Sequence, residues 1–314
     1  MRLAALDFGT NSLRLLIAEV YRNKSGIVIV PEVNLACVTQ LGALLHNEKI
    51  ITGKSFQDSA TVLKKYISVI KEHNVKSSFA LATSVFRDSK NALEIKREFE
   101  KILGFPIEII SGQEEAKLMF KGISVNRTFD DRKRYLCIDI GGGSTEILLS
   151  MGSSILNFTS FPIGCLRTRN EFLHHDPPKK QEIEAMYSHI DNLLRGKFAS
   201  SENIENFFAF GGTVTTFAKI ISGKGTVNIM ETEDIVVTKE NVSDFLNRSH
   251  DLNNAQIGDK YRIYIDTQRE TVFRTGILIL NKLMNCFSKK EITVTNQGIL
   301  YGILCNKFEQ LLNY

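Results

Sequence analysis

Two stretches of the chain carry residue types suited to holding phosphate. Leu6-Asp7-Phe8-Gly9-Thr10-Asn11-Ser12-Leu13-Arg14-Leu15-Leu16 returns as Ile138-Asp139-Ile140-Gly141-Gly142-Gly143-Ser144-Thr145-Glu146-Ile147-Leu148, with Asp, Gly, Ser and Leu in register and no gap. Each copy predicts a strand, a tight turn and a second strand. Glycine lets such a turn take positive φ and lets an oxygen approach the backbone closely. Successive N–H groups then form an anion-binding concavity. Thr10, Ser12, Ser144 and Thr145 add hydroxyls. Asp7 and Asp139 close the preceding strands, and a carboxylate beside phosphate calls for an intervening cation. Mg2+ held by one or two carboxylates together with phosphate oxygens is the usual arrangement. The competing reading is a plain hairpin with an Asx-type bond from each Asp; the second in-register copy weighs against it. A dinucleotide-binding loop does not fit, because GxGxxG is absent and a strand, not a helix, follows Gly141-Gly142-Gly143.

A third glycine turn, Phe210-Gly211-Gly212-Thr213, joins a strand to a helix. The helix start offers unpaired N–H groups and the positive end of the dipole, or else Thr213 is a simple N-cap. Turns that grip phosphates point at phosphoryl chemistry, which would also need a base. Ser111-Gly112-Gln113-Glu114-Glu115-Ala116 supplies carboxylates. Ser111 and Glu114 form S-x-x-E, a helix-starting capping box. Glu114 is thereby occupied, and Glu115 is left for chemistry or for a solvated helix face. Arginine suits bidentate phosphate contacts. Arg14 sits in the first turn motif, with Arg87 and Arg269 as further phosphate candidates and Arg167 and Arg169 as residues that could line the path of a long polyanion; all but Arg14 have an equally good surface reading. His174-His175-Asp176 lies before Pro177-Pro178 and reads as a loop, since adjacent side chains converge poorly on one ion. No Ser/His/Asp or Cys/His nucleophile set is present, so direct attack by water is expected.

The elements that must position these residues follow from periodicity. Strands are predicted at Arg2–Phe8, Arg14–Tyr21, Val28–Val33, Leu35–Gln40, Ser78–Thr83 and Ile107–Ile110, with helices at Ser55–His73 and Lys90–Leu103. A polar, basic stretch at Asn126–Arg134 is the candidate link. After it come strands Tyr135–Ile140, Asn206–Phe210 and Glu291–Thr295. Helices are predicted near Lys180–Phe198, Val242–Leu252, Thr213–Ile221, Glu270–Phe287 and Gly298–Leu312. Two α/β halves opening with the same hairpin imply a duplicated fold with an interdomain cleft, where ligands gather at the carboxyl ends of strands.

With 314 residues the chain can build two cores. Its net charge of +4, from 39 basic and 35 acidic side chains, is too balanced for coating nucleic acid. The five cysteines form no CxxC pair, which fits reduced thiols in a cytoplasmic protein. No apolar run is long enough for a membrane span, and the N-terminus has no signal-peptide layout.

Taken in order, LDFGTNSLRLLIAEV, ATSVFRDSKN, IEIISGQEEAKLMFKGI, CIDIGGGSTEILL, FPIGCLRTRNEF and FAFGGTVTTFAKI resemble the exopolyphosphatase / guanosine pentaphosphate phosphohydrolase family of the actin–Hsp70–sugar kinase superfamily. The resemblance runs from about Leu3 to Leu304 and is carried most specifically by SGQEEA together with DIGGGSTE. It implies an α/β fold of two ribonuclease H-like, actin-like ATPase domains. One would be residues 1–125 completed by a helix at about 298–314; the other would be residues 126–297. This is the short two-domain form; longer members add a helical region. The resemblance also implies Mg2+ as cofactor on Asp139 and Glu146, with Asp7 the weaker ligand, and Glu115 as general base. Phosphate contacts would come from Gly9, Thr10, Asn11, Ser12, Arg14, Arg87, Gly141, Gly142, Gly143, Ser144, Gly211, Gly212, Thr213 and Arg269. The implied reaction removes the terminal phosphoryl group of polyphosphate or the 5′ γ-phosphate of guanosine pentaphosphate, leaving the tetraphosphate. Family members are often dimers, and neither nucleic acid nor a membrane is an expected partner. An ATP-dependent small-molecule kinase of the same superfamily, and a catalytically silent guanosine penta/tetraphosphate-binding regulator, are the alternatives. The family pattern ERADVILGG here reads Gln268-Arg269-Glu270-Thr271-Val272-Phe273-Arg274-Thr275-Gly276, so roles tied to Thr271 and Thr275 are open.

Overall fold

A computed structural model describes every residue except 25, 46–47, 126, 199–203, 224–232, 266, 268 and 313–314. Gln268 and part of the 126–134 link therefore lie outside the described residues. The chain divides into two compact units, Met1–Phe129 with Gln297–Tyr314, and Asp130–Asn296.

The first unit opens with β1 (Arg2–Phe8), β2 (Ser12–Asn23) and β3 (Gly26–Val38), then α1 (Gly53–Glu72), β4 (Ser77–Ala82), α2 (Ser84–Asp88), α3 (Ala92–Leu103), β5 (Ile107–Ile109) and α4 (Gly112–Ser124). Its sheet has the order β3-β2-β1-β4-β5, with β1, β4 and β5 parallel and the opening hairpin antiparallel. β1 is buried on both faces, which is why it reads as a nearly continuous apolar run. Alternation along it splits the core. Ala4, Leu6 and Phe8 face one cluster, with Leu63 and Phe99; Leu3 and Ala5 face another. Thr52 caps α1 by accepting from the Ser55 N–H at 3.1 Å, and Ser111 and Glu114 close a reciprocal capping box on α4. The two stretches predicted at Val28–Val33 and Leu35–Gln40 are one strand. Pro31, inside the first of them, is tolerated because β3 is a sheet edge and the register shifts beside it.

The second unit repeats the plan. It contains β6 (Arg134–Ile140), β7 (Thr145–Met151), β8 (Ser154–Phe161), α5 (Cys165–Phe172), α6 (Lys180–Leu194), β9 (Ile204–Phe210), α7 (Gly212–Ser222), β10 (Val236–Thr238), α8 (Lys239–Arg248), α9 (Asn254–Lys260), α10 (Glu270–Cys286) and β11 (Glu291–Val294). The sheet order β8-β7-β6-β9-β11-β10 matches the first unit strand for strand, with β10 added at one edge. The third strand β8 and the short helices α2, α5 and α9 were not expected. Ser154–Phe161 carries Asn157 and Ser160 among its apolar residues, and eight residues of CLRTRNEF are too few and too polar for a helical period. The chain then returns to the first unit as α11 (Ile299–Leu312), whose Leu300, Tyr301, Leu304 and Phe308 join the core cluster of Leu3 and Ala5. No described helix is long and apolar enough to cross a membrane, and all five cysteines are free.

Candidate active site

Parallel strands send their carboxyl ends to one edge of a sheet, and each unit's candidate residues leave from that edge. In the first unit β1 runs into Gly9–Asn11, β4 into Thr83 and α2, and β5 into Ser111 and α4. Contacts tie these together. Thr10 Oγ1 and Ser84 Oγ lie 2.8 Å apart and buried. Arg87 Nη1 donates to Glu115 Oε2 at 2.7 Å and to the Ile110 carbonyl at 3.0 Å. Glu115 is only 9% exposed. Arg87, read from sequence as a phosphate ligand, thus rests against the candidate base, and Glu114 is used by the cap.

The two DxG turns share one geometry. Gly9 N–H donates to the Ser12 carbonyl at 3.1 Å, and Gly141 N–H to the Ser144 carbonyl at 3.0 Å. In both, the turn's own carbonyls are taken by the segment that follows the third strand. Gly42 N–H donates to the Thr10 carbonyl at 2.9 Å, and Thr39 and Gln40 donate to Asn11 at 2.9 and 3.0 Å. In the second unit Cys165 donates to Gly141 at 2.9 Å, and Leu166 and Arg167 donate to Gly142 at 2.9 and 3.0 Å. Gly164 approaches Gly142 so closely that a Cβ there would overlap the Gly142 carbonyl. Among the described residues no carbonyl accepts from the N–H groups of Thr10, Asn11, Gly142 or Gly143. Such N–H groups are what an anion-binding turn presents. Around the first turn Asp7 Oδ1, Asn11 Oδ1 and Thr39 Oγ1 are buried with no hydrogen-bond partner among the described residues, a polar set suited to a ligand or bound water.

The hairpins differ in charge at one register position. Asp7 lies directly opposite Arg14, whose Nε and Nη2 donate to Asp7 Oδ2 at 2.9 and 2.7 Å. The equivalent pair is Asp139 opposite Glu146. Residues directly opposite on antiparallel strands share a face, and like charges there destabilise the ladder. Glu146 is 2% exposed and accepts from Ser160 Oγ at 2.7 Å. Ser160 lies opposite Glu146 on β8, a partner visible from sequence only once β8 is recognised. No cluster of three or more His, Cys, Asp or Glu suited to a metal exists among the described residues. Two facing carboxylates fit Mg2+, whose remaining ligands are commonly water and substrate phosphate. They do not fit a structural zinc site, which takes four protein ligands.

The third glycine turn packs against this pair. Gly211 has φ +98°, and a Cβ there would lie 2.7 Å from Asp139 Oδ1 and 2.6 Å from the Ile140 carbonyl, so the position needs glycine twice over. The Arg269 guanidinium lies against Gly212 and leaves no room for a side chain. Thr213 is buried against Gly276 of α10, beside Thr275, which is 2% exposed. Cys165, buried next to Thr213 and Arg269, has its thiol pushed up to about 11 by desolvation, against the opposing pull of Arg269. It is a packing residue, not a nucleophile. His175 Nδ1 bonds Glu182 Oε1 at 2.8 Å.

A model of the Ppx/GppA phosphatase family matches residues 20–311, and the chain belongs to that family. A bifunctional 3-dehydroquinate synthase/phosphatase from Fusobacterium nucleatum is 28% identical over 98% of this chain; the chain spans 46% of that protein's length. Exopolyphosphatase 2 of Mycobacterium tuberculosis is 28% identical over 70% of each chain. A solved exopolyphosphatase structure from Cytophaga hutchinsonii matches with a TM-score of 0.88 at 23% identity, covering 99% of this chain and 98% of that one. That likeness shows the fold, two α/β units with one strand order in common.

Proposed function

We propose that the chain is a Mg2+-dependent phosphohydrolase that removes the terminal phosphoryl group of inorganic polyphosphate, or the 5′ γ-phosphate of guanosine pentaphosphate, by direct attack of water. The observation that carries the reading is the paired turn geometry: two backbone nests with their carbonyls turned into the fold, one flanked by facing Asp139 and Glu146. Exopolyphosphatase 2 of Mycobacterium tuberculosis supports polyphosphate as the substrate class.

In this reading Glu115 accepts a proton from the attacking water, and Arg87 fixes the carboxylate's direction. The new P–O bond forms as the terminal anhydride bond breaks, and the shortened chain departs as an anion. The N–H groups of each turn, and of the start of α7, are suited to phosphate oxygens. Mg2+ on Asp139 and Glu146 would offset charge on those oxygens. The test is side-by-side phosphate release from long polyphosphate and from guanosine pentaphosphate with Mg2+, using Glu115→Ala as control. Release from polyphosphate without nucleotide supports the hydrolase and disposes of a kinase. Tight binding of guanosine tetraphosphate with no release from any phosphate chain would make the chain a silent regulator instead.

A further inference from the structure

The second unit holds a partly open polar pocket of about 40 Å3, and its charge is unbalanced. Arg169 of α5, His174 and Asp176 of the following loop, Asn254 of α9, and Arg274 and Thr275 of α10 line it. Arg274 is 5% exposed, an unusual place for a guanidinium. Its Nη2 donates to the Ser249 carbonyl at 3.2 Å and to the Leu252 carbonyl. Its Nη1 is 4.0 Å from Asp176 Oδ1, and its Nε has no hydrogen-bond partner among the described residues. Burial pulls the Arg274 guanidinium below its ordinary pKa, with Asp176 opposing. Asp176, the one acidic residue of the lining, already accepts the Asn254 N–H on both oxygens, at 2.9 and 3.0 Å. Arg169 makes only a long 3.4 Å contact to its neighbour Asn170. Two guanidinium groups therefore meet one engaged carboxylate around a space for about three water molecules. An under-compensated buried cation favours an anion, and paired guanidinium forks match a phosphate group.

We propose that this cavity binds a single phosphate group, either free inorganic phosphate or the end of a phosphate chain, between Arg169 and Arg274. The choice of phosphate over other oxyanions rests on the phosphohydrolase reading, since phosphate is that reaction's product. An occupant would bridge two helices that bear on the candidate active site. α5 holds the Gly141 and Gly142 carbonyls, and α10 carries Gly276 against Thr213.

The test is calorimetric titration of the full chain with inorganic phosphate, comparing wild type, Arg169→Ala and Arg274→Met, with thermal melts to check folding. Wild type is expected to bind one more phosphate per chain than either variant, or to bind at this cavity at least tenfold more tightly. Arg169 is only partly buried, so Arg169→Ala keeps the test decisive if Arg274→Met fails to fold. Repeating the titration in triphosphate separates the sources: competition assigns the chain end, and no competition assigns free phosphate. An unchanged phosphate isotherm in Arg169→Ala overturns the proposal. So does a crystal structure grown in phosphate with water alone between Arg169 and Arg274. Binding is read without turnover, so an inactive enzyme would sink the phosphohydrolase reading while leaving this result standing.

Discussion

Replacing Glu146 by Gln tests the acidic pair without removing any atom larger than an oxygen-to-nitrogen exchange. Glu146 is 2% exposed and directly opposite Asp139. Like charges at such a position cost about 0.2–1 kcal/mol on a solvated sheet, and burial weakens screening, so the upper end, about 1 kcal/mol, applies here. Gln keeps an oxygen to accept from Ser160 Oγ. For a unit of this size about 1 kcal/mol corresponds to roughly 2–4 °C in Tm. In EDTA the variant should therefore melt about 2–4 °C above wild type. Adding Mg2+ reverses the order. At ten times its dissociation constant a ligand stabilises by RT ln 11, about 1.4 kcal/mol, so wild type should gain roughly 3–6 °C and the variant little. Thermal melts across a Mg2+ titration read both effects. If Mg2+ raised both proteins equally, or if the variant melted lower than wild type in EDTA, the facing-carboxylate site would be refuted.

Four other outcomes are expected. Glu115→Gln should lower turnover of polyphosphate by about a hundredfold or more, the loss typical of a general base, with KM little changed; steady-state kinetics showing full turnover would remove Glu115 from its role. Gly164→Ala forces a Cβ into the Gly142 carbonyl and should destabilise by about 1–3 kcal/mol in urea unfolding, as overpacking does. Gly53→Ala, where nothing lies within 4 Å, should be neutral or slightly stabilising. Burial alone would raise the Glu182 carboxyl, but the His175 ring and the Lys179 and His174 N–H groups bring it from 4.5 to about 2. A depressed carboxylate stabilises above its unfolded pKa. The stability gap between wild type and Glu182→Gln should hold at pH 5–6 and shrink steadily from about pH 4.5 to pH 2; a gap independent of pH would contradict this.

The duplicated two-sheet plan was legible because its signals are local. The DxG hairpins, the apolar run of β1 and the Ser111–Glu114 cap each need fewer than a dozen consecutive residues. What sequence did not disclose depends on partners far apart in the chain. Arg87 meets Glu115 across 28 positions, and Thr10 meets Ser84 across 74. The Arg14/Glu146 exchange was visible in the aligned copies. That it converts a cross-strand ion pair into two facing carboxylates became clear only with the register. Arg274 stands where ERADVILGG has Leu, but a single arginine in the apolar run of α10 has no period of its own to place it at a pocket.

Segments 39–42 and 164–167 do the same work by different means, one as irregular backbone and the other as the opening of a helix. What the two units share here is an address for spare acceptors, not a secondary structure. If the turns bind anions as proposed, each owes its outline to a segment that need not touch the ligand. Drift in those neighbouring segments would then retune affinity with the turn residues themselves unchanged.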